Sequence, residues 1–153
     1  MSLRTASVRF ATAVLILAAG TSACETNVNG PSRIEESEVV GEYVATTLTT
    51  VIRGSATDQL ALGAELEMEL LADGTTRGRL LAPEGGPAGS DLDERLRGTW
   101  SFDVTSQSVA VDHPTDTFLR SMVFEAQRSG DAIELRSESA LGLVNINTVL
   151  RQR

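Results

Sequence analysis

The chain has 153 residues, with 13 Lys+Arg, 21 Asp+Glu and one histidine, and its formal net charge is −8 at pH 7. Such an acidic surface repels phosphate backbones, so nucleic acid is not expected as a partner. One cysteine excludes an internal disulfide. One histidine excludes a multi-histidine metal site, and we expect neither a metal nor another cofactor.

The first part of the chain has the order of a secretory signal. Arg4 and Arg9 precede an uncharged apolar run, 10–19, which is followed by the small residues 20–23. The run has about ten residues, whereas a membrane-spanning helix needs about twenty. We therefore expect residues 1–23 to be a signal peptide that is removed.

Cys24, the only cysteine, follows the small residues directly. This arrangement resembles the lipobox of bacterial lipoproteins, in which the thiol is acylated and becomes the new N-terminus, although Thr21 stands where that family favours Leu. The resemblance implies lipidation of Cys24, membrane attachment through N-terminal acyl chains, and a location in the bacterial cell envelope on the periplasmic or outer-membrane face. The alternatives are a secreted protein cut nearby and a buried spare thiol.

Residues 25–38 are polar and show no apolar period, which is typical of a flexible tether. We therefore interpret residues 24–38 as the lipidated cysteine and its tether. From Val39 the pattern changes to short alternating runs separated by Gly, Asp and Ser. This change predicts one all-β domain over residues 39–153.

The first run, 39–52, is rich in β-branched residues and predicts a long first strand. Residues 54–63 break the alternation. Within them, Thr57 or Asp58 is placed to cap one short helical turn. In a barrel this segment would lie across one mouth.

The runs 65–70 and 75–80 predict a hairpin around the loop 72–74, with Gly74 in the left-handed region. A three-residue loop separates charged from apolar partners across the hairpin, whereas a two-residue loop would mix them. The predicted partners are Glu69 with Arg77, Glu67 with Arg79, and Leu66 with Leu80.

Residues 81–94 are rich in proline, glycine and acids, and predict an excursion between strands. Asp91, Asp93 and Glu94 offer oxygens of the kind that bind calcium. Their spacing matches no EF-hand loop, which favours a solvated loop instead. Glycines within the same excursion lack the Lys and following helix of a phosphate-binding loop.

The runs 95–104 and 108–113 predict a second hairpin with a two-residue turn at 106–107. Its inward partners are Val104 with Val109, Phe102 with Val111, and Trp100 with His113.

Residues 116–120 predict a short turn. A third hairpin follows, 122–126 and 131–139 with a turn at 129–130, which sets Phe124 against Leu135, Ala126 against Ile133, and Glu125 against Glu134. The last pairing has like charges, which a one-residue shift or a bulge would relieve. The last run, 141–150, has four inward positions, Val144, Ile146, Thr148 and Leu150.

Eight such runs joined in sequence predict a closed, eight-stranded antiparallel up-and-down barrel. The segments 39–43, 70–75, 78–80 and 98–100, together with an apolar last strand closing on Arg, resemble the small lipocalin-like barrel domains of uncharacterised bacterial lipoproteins. The resemblance implies a barrel with an apolar-ligand cavity and transfers no catalytic residue.

The inward residues form a core or, where the strands stand far enough apart, line a cavity. The predicted ligand-binding residues are Met68, Leu70, Gly78, Trp100, Phe102, His113, Met122 and Phe124. Gly78 and Gly98 indicate either sharp strand coiling or room for a guest. His113 either contacts a ligand at a barrel mouth or touches Trp100 or solvent at a strand end.

The leading hypothesis is a non-enzymatic envelope lipoprotein whose barrel binds a small apolar ligand. The alternative is a structural or protein-interaction module with a filled barrel, whose function lies in the loops 54–63 or 81–94. The sequence identifies no protein partner, and its one histidine gives little basis for catalysis.

Overall fold

The computed structural model describes residues 33–85, 89–115 and 117–153 of the chain. Cys24 and the expected signal peptide lie outside these ranges. Within them the chain forms one short helix and nine strands: α1 Glu36–Val39, β1 Gly41–Ile52, β2 Ser55–Asp58, β3 Glu65–Leu70, β4 Thr75–Ala82, β5 Leu92–Asp103, β6 Ser108–Asp112, β7 Ser121–Ser129, β8 Ala132–Leu141 and β9 Val144–Gln152.

The strands close into a barrel, which confirms the predicted fold class. Each strand from β3 to β9 pairs antiparallel with the next, and β1 pairs with both β3 and β9. Eight strands therefore form the barrel, and β1 has no free edge along most of its length. Closure of this kind removes the unpaired strand edges that invite aggregation.

The ninth strand, β2, was not predicted. It pairs with residues 49–52 of β1, and all four of its residues are exposed. Because it has no buried face, its sequence shows no apolar alternation. The capped turn after it was predicted correctly, since the Asp58 carboxylate accepts hydrogen bonds from the backbone N–H groups of Leu60 at 3.0 Å and Ala61 at 3.2 Å.

The first predicted hairpin, β3–β4, has the predicted register. Glu69 lies opposite Arg77, Glu67 opposite Arg79, and Leu66 opposite Leu80. Gly74 has a φ of 80°, as a three-residue loop requires. Charged side chains on the outer face and leucines on the inner face thus fix one register.

The second hairpin, β5–β6, differs from its predicted register by two residues. Phe102 lies opposite Val109, and Trp100 lies opposite Val111 in place of His113. The loop has four residues, 104–107, because the Asp103 carboxylate accepts hydrogen bonds from Thr105 N–H at 2.7 Å and Ser106 N–H at 3.4 Å. Both registers keep the same inward face, since a shift of two residues preserves the alternation.

The third hairpin, β7–β8, is also shifted by two residues from the prediction. Ala126 lies opposite Leu135, and the turn comprises residues 130–131. The shift sets Glu125 against Arg136 in place of Glu134. It therefore removes the like-charge pair that the predicted register contained.

The two inward glycines mark places where neighbouring backbones approach closely. A Cβ at Gly78 would collide with the carbonyl oxygen of Glu67, and a Cβ at Gly98 would collide with that of Asp112 and lie 2.8 Å from the His113 ring. Of the two predicted explanations, the structure favours strand coiling, because the backbone of a neighbouring strand already occupies the position of each missing Cβ.

The two ends of the barrel differ. At one, called here the closed end, lie the turns 71–74, 104–107 and 130–131. At the other, the open end, lie residues 53–64, the described parts of the β4–β5 and β6–β7 connections (83–85, 89–91, 113–115 and 117–120), and residues 142–143. The main core fills the barrel from the N-terminal residues Ile34 and Val39 at the closed end to Leu119 in the β6–β7 connection. A smaller cluster of Leu48, Ala64 and Ile146 lies towards the open end.

Candidate ligand site at the open end of the barrel

Residues 33–40, which precede β1, cover the closed end of the barrel, and we call them the N-terminal cover. The sequence places 33–38 of this segment in the flexible tether, yet Ile34 is only 3 % exposed and Val39 is fully buried. The sequence did not predict this burial, because one isolated apolar residue in a polar stretch gives no periodic signal. The first strand accordingly begins at Gly41, after α1, and not at Val39.

Polar contacts fasten the N-terminal cover at both of its ends. The Arg33 guanidinium donates to the carbonyl oxygen of Val104 at 2.8 Å, and an ion pair of 2.6 Å joins Glu38 to Arg128. The side-chain amide of Gln152 donates to the carbonyl oxygens of Glu38 and Val40, each at 3.0 Å. The cover is thus tied to the β5–β6 loop, to β7 and to β9.

Tyr43 links the N-terminal cover to the core. Its side chain is 1 % exposed, and its hydroxyl donates to the carbonyl oxygen of Val39 at 2.7 Å. Burial raises the pKa of the Tyr43 phenol well above its ordinary value. The ring stays neutral at this position and contributes about 2–3 kcal/mol of hydrophobic burial.

The residues predicted to bind a ligand inside the barrel pack mainly as core. The apolar side chains among them meet in one cluster, to which Ile34 and Val39 of the N-terminal cover also belong. Fractional exposures are Met68 2 %, Leu70 0 %, Trp100 7 %, His113 0 %, Met122 2 % and Phe124 0 %, with Phe102 partly buried against them. Space for a ligand must therefore be sought nearer the open end.

His113 is held inside the barrel by two hydrogen bonds. Its Nδ1 lies 3.0 Å from the carbonyl oxygen of Leu119, which only accepts, so Nδ1 carries the proton. In that tautomer Nε2 accepts from the Thr76 hydroxyl at 2.8 Å. His113 thereby fastens the 113–120 connection to β4, and it faces neither solvent nor the mouth.

An apolar cavity of about 700 Å³ occupies the open end. Leu48 and Ile146, from the small cluster, lie at its base, and Phe118 reaches it from the β6–β7 connection. Ala82 and Leu92 line it from the two ends of the β4–β5 loop. Cavities of about 300–1,000 Å³ with mostly apolar walls are typical of small-molecule sites.

Of the residues that line the cavity, the sequence analysis predicted only Ile146 to point into the barrel. Leu92 and Phe118 lie within stretches interpreted as loop or turn. The sequence did hold one indication that these two residues contact the barrel: each is an apolar residue inside a polar loop, and such a side chain needs a partner to cover it.

The rim of the cavity exposes large apolar side chains. Ile52 at the end of β1, Leu62 in the 53–64 connection and Leu141 at the end of β8 line the cavity and are 49 %, 61 % and 52 % exposed. Leu143, which is 76 % exposed, lies in the β8–β9 turn at the same end. Isolated exposed apolar residues are ordinary, whereas several at one end of a protein are typical of interaction surfaces. Both loops named in the alternative hypothesis, 54–63 and 81–94, contribute to this end.

Among the described residues, the buried hydroxyls of Ser139 and Thr148 have no hydrogen-bond partner. Ser139 lies directly opposite Ile146 in the β8–β9 ladder. Neither residue lines the cavity, so these hydroxyls are not part of the site.

Two acids of the predicted 81–94 excursion, Asp91 in the β4–β5 loop and Asp93 at the start of β5, are engaged locally. Asp91 accepts from the backbone N–H of Glu84 at 3.1 Å, and Asp93 pairs with Arg79 through two hydrogen bonds of 2.8 and 2.9 Å. Arg79 holds the pKa of the Asp93 carboxyl below its usual range. Across the part of the chain that the structure describes, no group of three or more metal-ligating side chains occurs.

Comparisons with known proteins identify no relative of this chain. No protein-family model matches the chain, and searches of curated proteins and of solved structures likewise give no match. In residues 33–85, 89–115 and 117–153, no helix has the length and apolar character to cross a bilayer.

Proposed function

We propose that this protein is a non-enzymatic lipoprotein of the bacterial envelope that binds a small apolar ligand at the open end of its barrel. The observation that carries the proposal is the apolar cavity of about 700 Å³ above Leu48 and Ile146. Burying one acyl-like chain there removes apolar surface of both partners from water, at about 25 cal/mol per Å².

The ligand binds at the mouth and leaves the middle of the barrel unchanged. The core below is filled by side chains that include Met68 and Phe124, and exposing each large apolar side chain to admit a ligand would cost about 1.5–3 kcal/mol. The ligand is therefore a single chain or a compact apolar molecule.

Filling the cavity from the protein side tests this proposal. Ala82 lines the mouth, so Ala82→Phe is expected to weaken binding of a fluorescent fatty acid at least tenfold. Ala110 lies on an exposed outer position of β6, so Ala110→Phe adds the same bulk outside the mouth and should leave the Kd unchanged. Equal Kd values for the two variants, or no saturable binding to the wild type, would contradict the proposal.

The proposed anchor requires a separate measurement. Acylation of Cys24 and removal of residues 1–23 predict an intact mass of the membrane-extracted protein that equals the chain from Cys24 plus the acyl groups. A Cys24→Ser variant should keep its full length and lose the lipid mass. An unmodified chain beginning at Met1 in both samples would contradict the anchor.

A protein-interaction module is the second candidate, and the exposed rim favours it. Leu62 and Leu143 are 61 % and 76 % exposed, as in surfaces that a partner covers. Under this candidate, Leu62→Ser with Leu143→Ser abolishes capture of a protein partner and leaves the fatty-acid Kd within about twofold. Under the leading proposal the same pair lowers fatty-acid affinity.

A further inference from the structure

A cavity of about 480 Å³ lies on the outer face of β1, β3, β4 and β5, away from the apolar mouth. We call it the arginine cleft, after Arg77, Arg79, Arg95, Arg97 and Arg153 in its wall. Three glutamates also line it, so its wall carries a net charge of +2 on a chain whose net charge is −8.

Four of these arginines face one another in pairs. In the β4–β5 ladder, Arg77 lies directly opposite Arg97, and Arg79 lies directly opposite Arg95. Directly opposed side chains have Cβ atoms about 4.5–5.5 Å apart, and like charges at that spacing destabilise a sheet. Residues two apart on one strand are about 7 Å apart. Four guanidinium groups are therefore concentrated over one small area.

Acidic neighbours hold only part of this set. Glu69 pairs with Arg77, and Asp93 forms its two hydrogen bonds with Arg79. Arg95 and Arg97 are exposed, and the described ranges supply neither of them with a hydrogen bond or an ion pair. The guanidinium groups of Arg95 and Arg97 are thus available to a ligand, next to those of Arg77 and Arg79, which their acidic partners hold in place.

We propose that the arginine cleft binds a phosphate-type oxyanion through Arg95 and Arg97. A guanidinium presents a planar fork of N–H donors that matches two oxygens of such an anion, and it stays charged at any physiological pH. A bound anion relieves the repulsion between the opposed arginines. Fixing Arg77 and Arg79 by Glu69 and Asp93 preorganises one side of the cleft, which lowers the entropy lost on binding.

The probe is inorganic phosphate, titrated into the full chain in maltoside micelles and exchanged against chloride at constant ionic strength. The readout is the NMR signal of each arginine Nε–H group. Saturable shifts are expected for Arg95 and Arg97. Arg97→Gln should weaken the apparent affinity at least tenfold, and Arg97→Lys, which keeps the charge but loses the fork, at least threefold.

Arg53→Gln is the matched control, because it removes one exposed positive charge from the β1–β2 turn outside the cleft. It should keep the phosphate affinity within twofold. The thermal midpoint of Arg97→Gln should equal or exceed that of the wild type, since an opposed like charge is removed. Shifts that do not saturate, or equal losses in Arg97→Gln and Arg53→Gln, would overturn the proposal.

The oxyanion has two sources, a free ion and a lipid headgroup. Dihexanoyl phosphatidylglycerol, titrated below its micelle concentration, separates them. Shifts of Arg95 and Arg97 with both phosphate and this lipid identify a headgroup site, whereas shifts with phosphate alone identify a site for a free anion. Both results support binding at the cleft.

Discussion

The side-chain amide of Gln107 holds the backbone of Ile34 from both sides. Its Oε1 accepts from the Ile34 N–H at 2.8 Å, and its Nε2 donates to the Ile34 carbonyl oxygen at 3.2 Å. The same Nε2 donates to the carbonyl oxygen of Val104 at 2.9 Å. One side chain of the β5–β6 loop therefore fixes the N-terminal cover over the closed end and leaves only the opposite end open.

Shortening this side chain should loosen the cover. Gln107 has a φ of 53°, and asparagine tolerates that conformation, so Gln107→Asn removes the hydrogen bonds without straining the backbone. We expect a loss of about 1–2 kcal/mol in the free energy of unfolding, measured with urea. Gln127→Asn, at an exposed position of β7, should change it by less than about 0.5 kcal/mol. A stability loss as small as the control's would show that the cover is not fastened here.

The apolar contact of the cover makes a second prediction. Ile34 is 3 % exposed, so Ile34→Ala should lower the free energy of unfolding by about 2–3 kcal/mol. Hydrogen exchange should also accelerate at Tyr43, which the cover shields. Exchange and stability equal to those of the wild type would contradict the burial of this residue.

The buried imidazole depends on one hydroxyl. Thr76→Val keeps the shape of the side chain but leaves Nε2 of His113 without its 2.8 Å partner. An unsatisfied buried acceptor costs about 1–3 kcal/mol, and we expect urea unfolding to report a loss in that range. Thr99→Val, on the exposed face of β5, is the control. Equal stabilities for the two variants would show that this hydrogen bond contributes nothing.

Gly98 should not tolerate a side chain. The Cβ of Gly98→Ala meets the backbone of Asp112 and the ring of His113, neither of which is a flexible side-chain end. We expect a loss of at least about 2 kcal/mol, in the upper part of the range for overpacking. Ser101→Ala, on the outer face of the same strand, should be near neutral by the same thermal melt. An unchanged melting temperature for Gly98→Ala would contradict the close approach.

Acid should remove the contribution of Glu134. Its hydrogen bond to Arg136 at 2.6 Å, assisted by Ser129 and by the charge of Arg151, lowers its folded-state pKa below the ordinary value of 4.5. A lowered folded pKa means stability that is present above the unfolded value and is lost as the pH falls through the folded one. Glu134→Gln should therefore be less stable than the wild type at pH 7, and the difference should shrink below about pH 4.5. Glu125→Gln is the matched control, and a difference that is constant with pH would contradict this assignment.

Alternation in the sequence was enough to predict the barrel, because inward positions are mostly apolar and outward positions are mostly polar. Alternation also predicted the β3–β4 register correctly, because glutamates on one strand must face arginines on the other. The β5–β6 and β7–β8 registers were wrong by two residues, and alternation cannot detect such a shift. Hydrogen bonds that the Asp103 carboxylate accepts from the N–H groups of its own loop decided the β5–β6 register.

The mouth was harder to predict than the barrel. Alternation tells which face a side chain occupies and not how far along the barrel axis it lies, so Met68 and Ile146 look alike in sequence. Leu92 and Phe118 join the cavity through connections whose course depends on tertiary contacts, such as the bond from His113 to Leu119. The cover was missed because Ile34 stands alone among polar residues.

The location of a bound chain tests the central claim most directly. A fatty acid with a nitroxide near its methyl end should broaden the backbone NMR signals of Leu62 and Phe118 at the open end and leave those of Ile34 and Val39 sharp. Ala82→Phe should abolish the broadening. Broadening at the closed end, or none at either end under saturating ligand, would contradict a ligand site at the mouth.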